Sequence, residues 1–98
     1  MIEPNSELII DYELVRNNIQ EIKKKLPKHC NFMGVIKSDA YGHDLKIATN
    51  AIKDVVDGFG VVRLDEALVI RENSSKPILA MQGVYSSDAY DLIKQNNI

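Results

Sequence analysis

The chain has 98 residues, of which 45% are hydrophobic and 27% charged, and its formal net charge is -2. This size and composition indicate one globular domain, spanning 1–98, and the slight acidic excess argues against nucleic acid as a partner. The chain lacks an apolar run of membrane-spanning length, and its single cysteine, Cys30, fits a reducing, cytoplasmic location.

The first half of the chain predicts two strands and two helices. Residues 8–10 read as a short strand, and Asp11 is placed to cap the helix that follows and stops before Pro27. Residues 32–36 form an apolar run without alternation, which predicts a strand buried on both faces. The first helix is expected to bury an apolar stripe of Leu14, Val15, Ile19, Ile22 and Leu26. The second helix should start near Asp44 and bury a stripe of Leu45, Ala48, Ile52 and Val55.

The second half repeats this alternation. Residues 58–62 predict another buried strand, and Asp65 is expected to cap a short helix with Ala67, Leu68 and either Ile70 or Arg71 packed inward. Pro77 opens a third strand at 78–81, and Ser86 or Ser87 is expected to cap a last helix through Ala89, Tyr90 and Ile93.

The β-α-β-α-β-α order predicts an α/β fold with a parallel sheet and helical crossovers. Both an open doubly wound sheet and a (β/α)₈ barrel fit this order, and both place functional groups at the carboxyl ends of strands. Those ends carry Lys37, Arg63 and Gln82-Gly83, which we expect on one rim. A closed barrel needs eight strands in roughly 250 residues, so the chain reads as the first part of something longer.

Lys37 is the leading candidate for chemistry. Apolar residues precede it and a polar turn follows, and partial desolvation lowers a lysine pKa and makes the amine nucleophilic toward carbonyls. Position alone is also consistent with a lysine that simply reaches into water at a strand end. Tyr41 lies four residues on and could donate to a phosphate, or it could cover a helix end as an amphipathic aromatic. Gly42 and His43-Asp44 lead into a helix whose first amides can bind an anion.

The other polar and aromatic residues give weaker indications of a functional site. His29, Cys30 and His43 have no metal-site spacing, so we expect no metal. Arg63 could reach the rim, but a pair with Asp65 or Glu66 is favoured. The basic run at 23–25 suits a solvated helix end, and Tyr85 and Tyr90 are expected to be packing residues rather than catalytic bases.

The segment "VIKSDAYGHD" closely resembles the pyridoxal phosphate attachment segment of alanine racemases, usually V-V-K-A-N-A-Y-G-H-G. The stretches "ELIIDYELVRNNI", "DGFGVVRLDEALVIRE" and "KPILAMQGVYS" are similar to the opening and to the second and third barrel units of that family. The departures are Ser38 and Asp39 for Ala-Asn and Asp44 for Gly. Asp44 is the better helix cap, but its charge would lie near a phosphate, so we expect its side chain to point away.

The resemblance implies the N-terminal part of a (β/α)₈ TIM-type barrel, with about three βα units and an N-terminal strand, and without the family's C-terminal β-domain. It implies pyridoxal 5'-phosphate as cofactor, held as an internal aldimine by Lys37, which would also be one of two acid–base groups. Tyr41 would donate to the cofactor phosphate, and Val35, Leu79 and Met81 would line the pocket.

The activity implied is interconversion of L-alanine and D-alanine, which supplies D-alanine for peptidoglycan, by a cytoplasmic homodimer. The second base in this family is a tyrosine from the C-terminal domain of the other subunit, so we expect the 98-residue chain alone to be inactive. The alternative is a non-catalytic module that binds pyridoxal phosphate weakly or survives as a truncated scaffold. The sequence leaves a preference for alanine over serine or a broader range of amino acids open.

Overall fold

A computed structural model describes residues 10–36 and 42–98, without the side chains of residues 42–44. Helices and strands alternate along these ranges, as the sequence predicts. The elements are α1 (Tyr12–Lys24), β1 (Met33–Val35), α2 (Gly42–Ile52), β2 (Gly58–Val61), α3 (Leu64–Asn73), β3 (Ile78–Ala80) and α4 (Ser87–Asn96).

The three strands form one parallel sheet in the order β1-β2-β3. Phe59 of β2 aligns with Gly34 on one side and Ile78 on the other, and the next residue, Gly60, aligns with Val35 and Leu79. Side chains alternate between the two faces of a strand, so these two rows point in opposite directions. The prediction of an α/β fold with a parallel sheet is confirmed.

The hydrophobic core lies between one face of this sheet and the helices. Gly34 allows α2 to pack closely against β1, because a Cβ atom there would lie 3.2 Å from Val56 Cγ1 and 3.4 Å from Ile52 Cδ1. Of the stripe predicted for α2, Leu45 and Ile52 are buried, Ala48 is half-buried, and Val55 is buried just beyond the end of the helix. Thr49 is buried as well, and its hydroxyl donates to the Leu45 carbonyl at 2.7 Å. The buried hydrophobic residues are Ile19, Leu45, Ile52, Val55, Val56, Phe59, Val61, Ala67, Ile70 and Ile78.

The prediction that all three strands are buried on both faces is wrong for β1 and β3. Every residue of β2 is buried, but Met33 and Val35 of β1 and Leu79 of β3 are exposed. These three residues lie on the face opposite Gly34, Phe59 and Ile78. The described helices therefore cover one side of the sheet only.

The predicted cap of helix α1 is confirmed, but the predicted burial of its apolar face is not. The Asp11 carboxylate accepts hydrogen bonds from the backbone N–H groups of Glu13 and Leu14, at 3.1 and 3.2 Å. Of the five apolar residues expected to be buried, only Ile19 is, because α2 is the only described helix or strand that α1 contacts. Leu8 and Ile9 of the predicted first strand lie outside the described residues, and Ile10 is in neither a helix nor a strand.

The start of α3 differs from the prediction by two residues. Arg63, not Asp65, occupies the N-cap position, and its backbone N–H donates to the Glu66 carboxylate at 3.0 Å. Asp65 lies inside the first turn and accepts from the Arg63 guanidinium at 2.8 Å, which confirms the favoured pairing. For α4 the predicted cap at Ser86 is confirmed, since its hydroxyl accepts from the Ala89 N–H at 3.1 Å.

Three cations stabilise the carboxyl end of α2 and the turn after it. Arg16 donates to the Ala51 carbonyl at 2.7 Å, Lys23 to the Val55 carbonyl at 2.9 Å, and Lys76 to the Val56 carbonyl at 2.6 Å. Helix carboxyl ends leave carbonyls without intrahelical partners and carry a partial negative charge, so cations suit this position. Elements far apart in sequence thus converge on one helix end.

Arg16 also forms a two-pronged ion pair with Asp54, one arm of which is a 2.9 Å bond to Asp54 Oδ2. The hydrogen bond from Arg16 lowers the pKa of Asp54 below its ordinary value of 3.8, against a smaller desolvation effect. A carboxyl whose pKa is lowered by folding stabilises the protein above its unfolded-state pKa, and this contribution disappears as the pH falls through the folded-state pKa.

We therefore expect Asp54→Asn to destabilise the protein modestly near neutral pH and hardly at all in acid. Urea unfolding of both proteins between about pH 7 and pH 3 measures the difference, which should shrink as the pH falls. A difference that is constant with pH would contradict the role of this ion pair.

No helix within the described ranges is both long enough and apolar enough to cross a membrane.

Candidate functional site

The carboxyl edge of the sheet brings the described strand ends together. The backbone pairing continues past the strands, with Ile36 N–H donating to the Gly60 carbonyl at 2.9 Å and Gln82 N–H to the Val62 carbonyl at 2.8 Å. The ends of β2 and β3 are thus neighbours, as the predicted rim requires. Lys37, the third predicted member of that rim, lies outside the described residues.

Val35, Leu79 and Met81 are the predicted pocket residues that the structure describes. They are 53%, 50% and 49% exposed, so each leaves about half of its surface open to a ligand or a neighbouring segment. Val35 and Leu79 lie in one row on either side of Gly60, and Met81 follows Leu79 by two residues. The two-residue alternation of a strand places Val35 and Leu79 on the same face of the sheet, and Met81 has the same parity but lies one residue beyond the end of β3.

We call this surface the open face. It comprises the strand positions of one parity, which are Met33, Val35, Gly58, Gly60 and Leu79, and the residues of the same parity directly beyond the strand ends, which are Val62, Pro77 and Met81. All of them are uncharged. Its charge and shape suit a flat apolar group better than an ion. The described helices lie on the other side of the sheet.

Gly60 shapes the middle of the open face. A Cβ atom at this position would lie 3.2 Å from Met33 Sδ and 3.3 Å from Val35 Cγ2. Because Gly60 has no side chain, the Met33 and Val35 side chains of β1 can pack directly on the backbone of β2. Gly60 is itself buried, so the Met33 and Val35 side chains fill the space above β2 at this point.

Met33 and Val62 belong to the open face, although the sequence did not single them out. The signal available was the parity that they share with Val35 and with Gly60. Parity alone does not separate the covered face from the uncovered one, because both faces of these strands are apolar. The register of the sheet and the positions of the helices are needed for that distinction.

Lys37 and Tyr41 lie outside the described residues, and the side chains of His43 and Asp44 do too. In the sequence, residues 37–41 stand between Ile36, which is still paired with β2, and Gly42, the first residue of α2. The predicted roles of Lys37 and Tyr41 stay predictions.

The expectation that Tyr85 and Tyr90 are packing residues is wrong within the described ranges. Tyr85 is 80% exposed on the loop that Gly83 begins with a φ of 85°, and Tyr90 lies on α4, none of whose residues is buried. Arg63 is engaged by Asp65, as described above. Among the described residues, no three His, Cys, Asp or Glu side chains are grouped to hold a metal ion.

Comparison with known proteins assigns the family. The family model for the alanine racemase N-terminal domain matches residues 10–98, which is nearly the full chain. The chain belongs to the alanine racemase N-terminal domain family. The resemblance in the lysine segment and in the three βα units is therefore a resemblance of common descent.

Curated alanine racemases show the same relation. The chain is 42% identical to the alanine racemase of Mannheimia succiniciproducens over 85 residues, which cover 86% of the chain and 24% of that relative. It is 41% identical over 90 residues to the alanine racemase of Vibrio atlanticus, with 91% and 25% covered. For Haemophilus influenzae the identity is 35% over 98 residues, with 99% and 27% covered. The chain thus spans about a quarter of the length of these alanine racemases.

Proposed function

We propose that this chain is the cofactor-holding N-terminal part of an alanine racemase, an isomerase that interconverts L-alanine and D-alanine. The fold in this proposal is the first part of a (β/α)₈ barrel, and the cofactor is pyridoxal 5'-phosphate. The observation that carries the proposal is the open face, an uncharged surface that ends where β1 leads to Lys37. Family membership supplies the reaction class.

The described residues fit the proposed cofactor. The two faces of a pyridine ring are flat and pack well against apolar side chains, and Val35, Leu79 and Met81 are half-exposed apolar residues. Gly60, between Val35 and Leu79, has no side chain, and Val35 and Met33 pack over it. Bound pyridoxal phosphate would withdraw electrons from the substrate and so stabilise negative charge at its α-carbon.

Lys37 would be the residue that attaches the cofactor. The proposal requires Lys37 to continue the alternation of Met33 and Val35, so that its side chain shares their face. Apolar surroundings disfavour the ammonium form, which lowers the lysine pKa and leaves a neutral amine able to attack a carbonyl or accept a proton. Lys37 would therefore hold the cofactor and also exchange the α-proton of alanine on one side.

Tyr41 and the start of α2 would hold the cofactor phosphate. A phenol hydroxyl donates one hydrogen bond to a phosphate oxygen, and the first backbone N–H groups of a helix attract an anion. Helix α2 begins at Gly42, directly after Tyr41.

We propose that the 98-residue chain does not racemise alanine by itself. Inversion removes a proton on one face of the α-carbon and returns one on the other, so it needs two bases, and Lys37 can be only one of them. The second base, the homodimer, the cytoplasmic location and the supply of D-alanine to peptidoglycan belong in this proposal to the complete enzyme. A D-alanine assay on the purified chain tests this point, and a rate that Lys37→Ala abolishes would contradict it.

The cofactor assignment is tested by titrating the chain with pyridoxal phosphate and following the absorbance of the lysine-bound cofactor. We expect the band in the parent protein and in Lys28→Ala, a control that changes an exposed loop lysine. We expect no band in Lys37→Ala, because the nucleophilic amine is missing. A band that persists in Lys37→Ala would contradict the assignment to Lys37, and no band in the parent chain even at high cofactor concentration would leave only the truncated-scaffold alternative.

Tyr41 is tested separately with Tyr41→Phe. Loss of a hydrogen bond to a charged group costs about 1.5–3 kcal/mol, which weakens pyridoxal phosphate binding by about tenfold or more. Titration with pyridoxal, which has no phosphate, is the control and should be unaffected by the substitution. Equal weakening for both ligands would show that Tyr41 does not act through the phosphate.

A further inference from the structure

Glu66 is a buried acid at the carboxyl edge of the sheet. It lies in the first turn of α3, where only 6% of the residue is exposed, and its Oε1 accepts the Arg63 N–H at 3.0 Å. Burying a charged carboxylate is costly unless a cation or several hydrogen-bond donors lie beside it. The helix packed against this turn therefore decides what Glu66 does.

Helix α2 is packed against α3, and contacts near the carboxyl ends of the two helices fix their register. Asn50 Nδ2 donates to Asn73 Oδ1 at 2.9 Å, and Lys53 Nζ donates to the Asn73 carbonyl at 3.1 Å. Each helix leads from the carboxyl end of one strand to the amino end of the next strand in a parallel sheet, so the two helices run in the same direction.

His43 and Glu66 each lie seven residues before a member of the Asn50–Asn73 pair. Seven residues make almost two full helical turns and about 10 Å of helix, so His43 and Asn50 share one side of α2, and Glu66 and Asn73 share one side of α3. In two parallel helices, equal steps from one aligned pair of positions lead to another aligned pair. The position of His43 is therefore aligned with that of Glu66.

We infer that Glu66 is a positioning residue, whose buried carboxylate accepts a hydrogen bond from the His43 imidazole and thereby fixes the first turn of α2 against the first turn of α3. His43 follows Tyr41 by two residues and Lys37 by six, so this pair would anchor the end of the segment that carries both. The value of the pair for cofactor binding rests on the proposed function, whereas the pair itself does not.

Other charged and titratable groups surround this pair along the chain. They lie between β1 and the first turns of α2, and at the start of α3: Lys37, Tyr41, Asp44, Lys46, Arg63 and Asp65. Arg63 and Asp65 are paired with each other at 2.8 Å. These groups act on the His43 imidazole whether or not Glu66 is charged, so a comparison of variants isolates the effect of Glu66.

Glu66→Gln removes the charge of this carboxylate. Glutamine also suits this position of a capping box, so its side-chain carbonyl can still accept the Arg63 N–H. The imidazole signals of His43, followed by NMR across neutral pH, give its pKa. This pKa should fall in Glu66→Gln, with proton binding weakened about tenfold, because a neighbouring carboxylate stabilises the imidazolium. The signals of the other histidine, His29 on an exposed loop, should be the same in both proteins.

Asp65→Asn is the matched control for Glu66→Gln. It removes a carboxylate from the same turn, but this carboxylate is exposed and paired with Arg63. It should therefore change the His43 titration much less. A second measurement needs no variant: in the parent chain, nuclear Overhauser effects should connect the ring protons of His43 with the side-chain methylene protons of Glu66. The inference is overturned if these effects are absent, or if the two substitutions change the His43 titration equally or not at all.

Titration with pyridoxal phosphate tests the positioning role. Glu66→Gln should bind the cofactor severalfold more weakly than the parent chain and Asp65→Asn do, under conditions where urea unfolding shows that all three proteins are folded. Equal binding in all three would overturn the positioning role. If the parent chain gives no cofactor band, the proposed function fails, and the NMR measurements still decide whether Glu66 and His43 are paired.

Discussion

Replacing Phe59 by alanine is expected to have the largest effect on stability, a loss of about 3–5 kcal/mol in the free energy of unfolding. Phe59 is fully buried in the central strand, in the row with Gly34 and Ile78, where the sheet meets the helices. Because small domains are stable by only about 5–15 kcal/mol, this variant should be largely unfolded at moderate urea concentrations. Urea unfolding followed by circular dichroism measures the loss.

Val35→Ala is the control for Phe59→Ala, because Val35 lies on the neighbouring strand but on the open face. Its side chain is already half exposed, so we expect a cost below about 1 kcal/mol. A Val35→Ala loss as large as that of Phe59→Ala would show that the open face is packed in solution and would contradict the one-sided core.

Arg71→Ala is expected to have the second largest effect, about 2–4 kcal/mol, since four charge-assisted hydrogen bonds are lost together. The Arg71 guanidinium donates to the carbonyls of Asn96, Ser74, Lys76 and Asn97, at 2.7, 2.9, 2.9 and 2.8 Å. It thereby joins the end of α3 and the approach to β3 with the end of α4. Urea unfolding gives the global cost.

Hydrogen exchange locates the effect of Arg71. Exchange of the α4 amides should accelerate more than that of the α2 amides, because none of the residues of α4 is buried and its attachment depends on these bonds. Arg71→Lys is the matched control: it keeps the charge, but a single ammonium cannot reproduce the fork of a guanidinium, so most of the loss should persist. Full recovery in Arg71→Lys would show that only charge matters at this point.

The parts of the fold that the sequence predicted are those with local signals. Asp11 and Ser86 were predictable as caps, because a cap needs only a short acceptor side chain three residues before a backbone N–H that has no other partner. The buried stripe of α2 was predictable from the helical spacing of its apolar residues. The cap of α3 was misassigned to Asp65 because an acidic residue in the first turn resembles a cap. The true cap depends on where β2 ends, because that position makes Arg63 the N-cap and lets its N–H donate to the Glu66 carboxylate.

The parts that could not be predicted depend on contacts between distant residues. Whether an apolar strand is covered on one face or on both is set by the helices around it, so Met33 and Ile78 read alike in the sequence. The hydrogen bonds from Arg71 to Asn96 and from Lys23 to Val55 join residues that are 25 and 32 positions apart, and no sequence spacing predicts such bonds. Of the candidate site, the shared face of Val35 and Leu79 follows from the register of the sheet, whereas the roles of Lys37 and Tyr41 are proposals.

The most direct test of the central proposal is to identify the lysine that carries the cofactor. The chain is incubated with pyridoxal phosphate, reduced with borohydride to make the attachment permanent, digested and mapped by mass spectrometry. The proposal predicts one modified peptide, with the reduced cofactor on Lys37. Modification spread evenly over surface lysines such as Lys28 and Lys46, or none on Lys37, would contradict it.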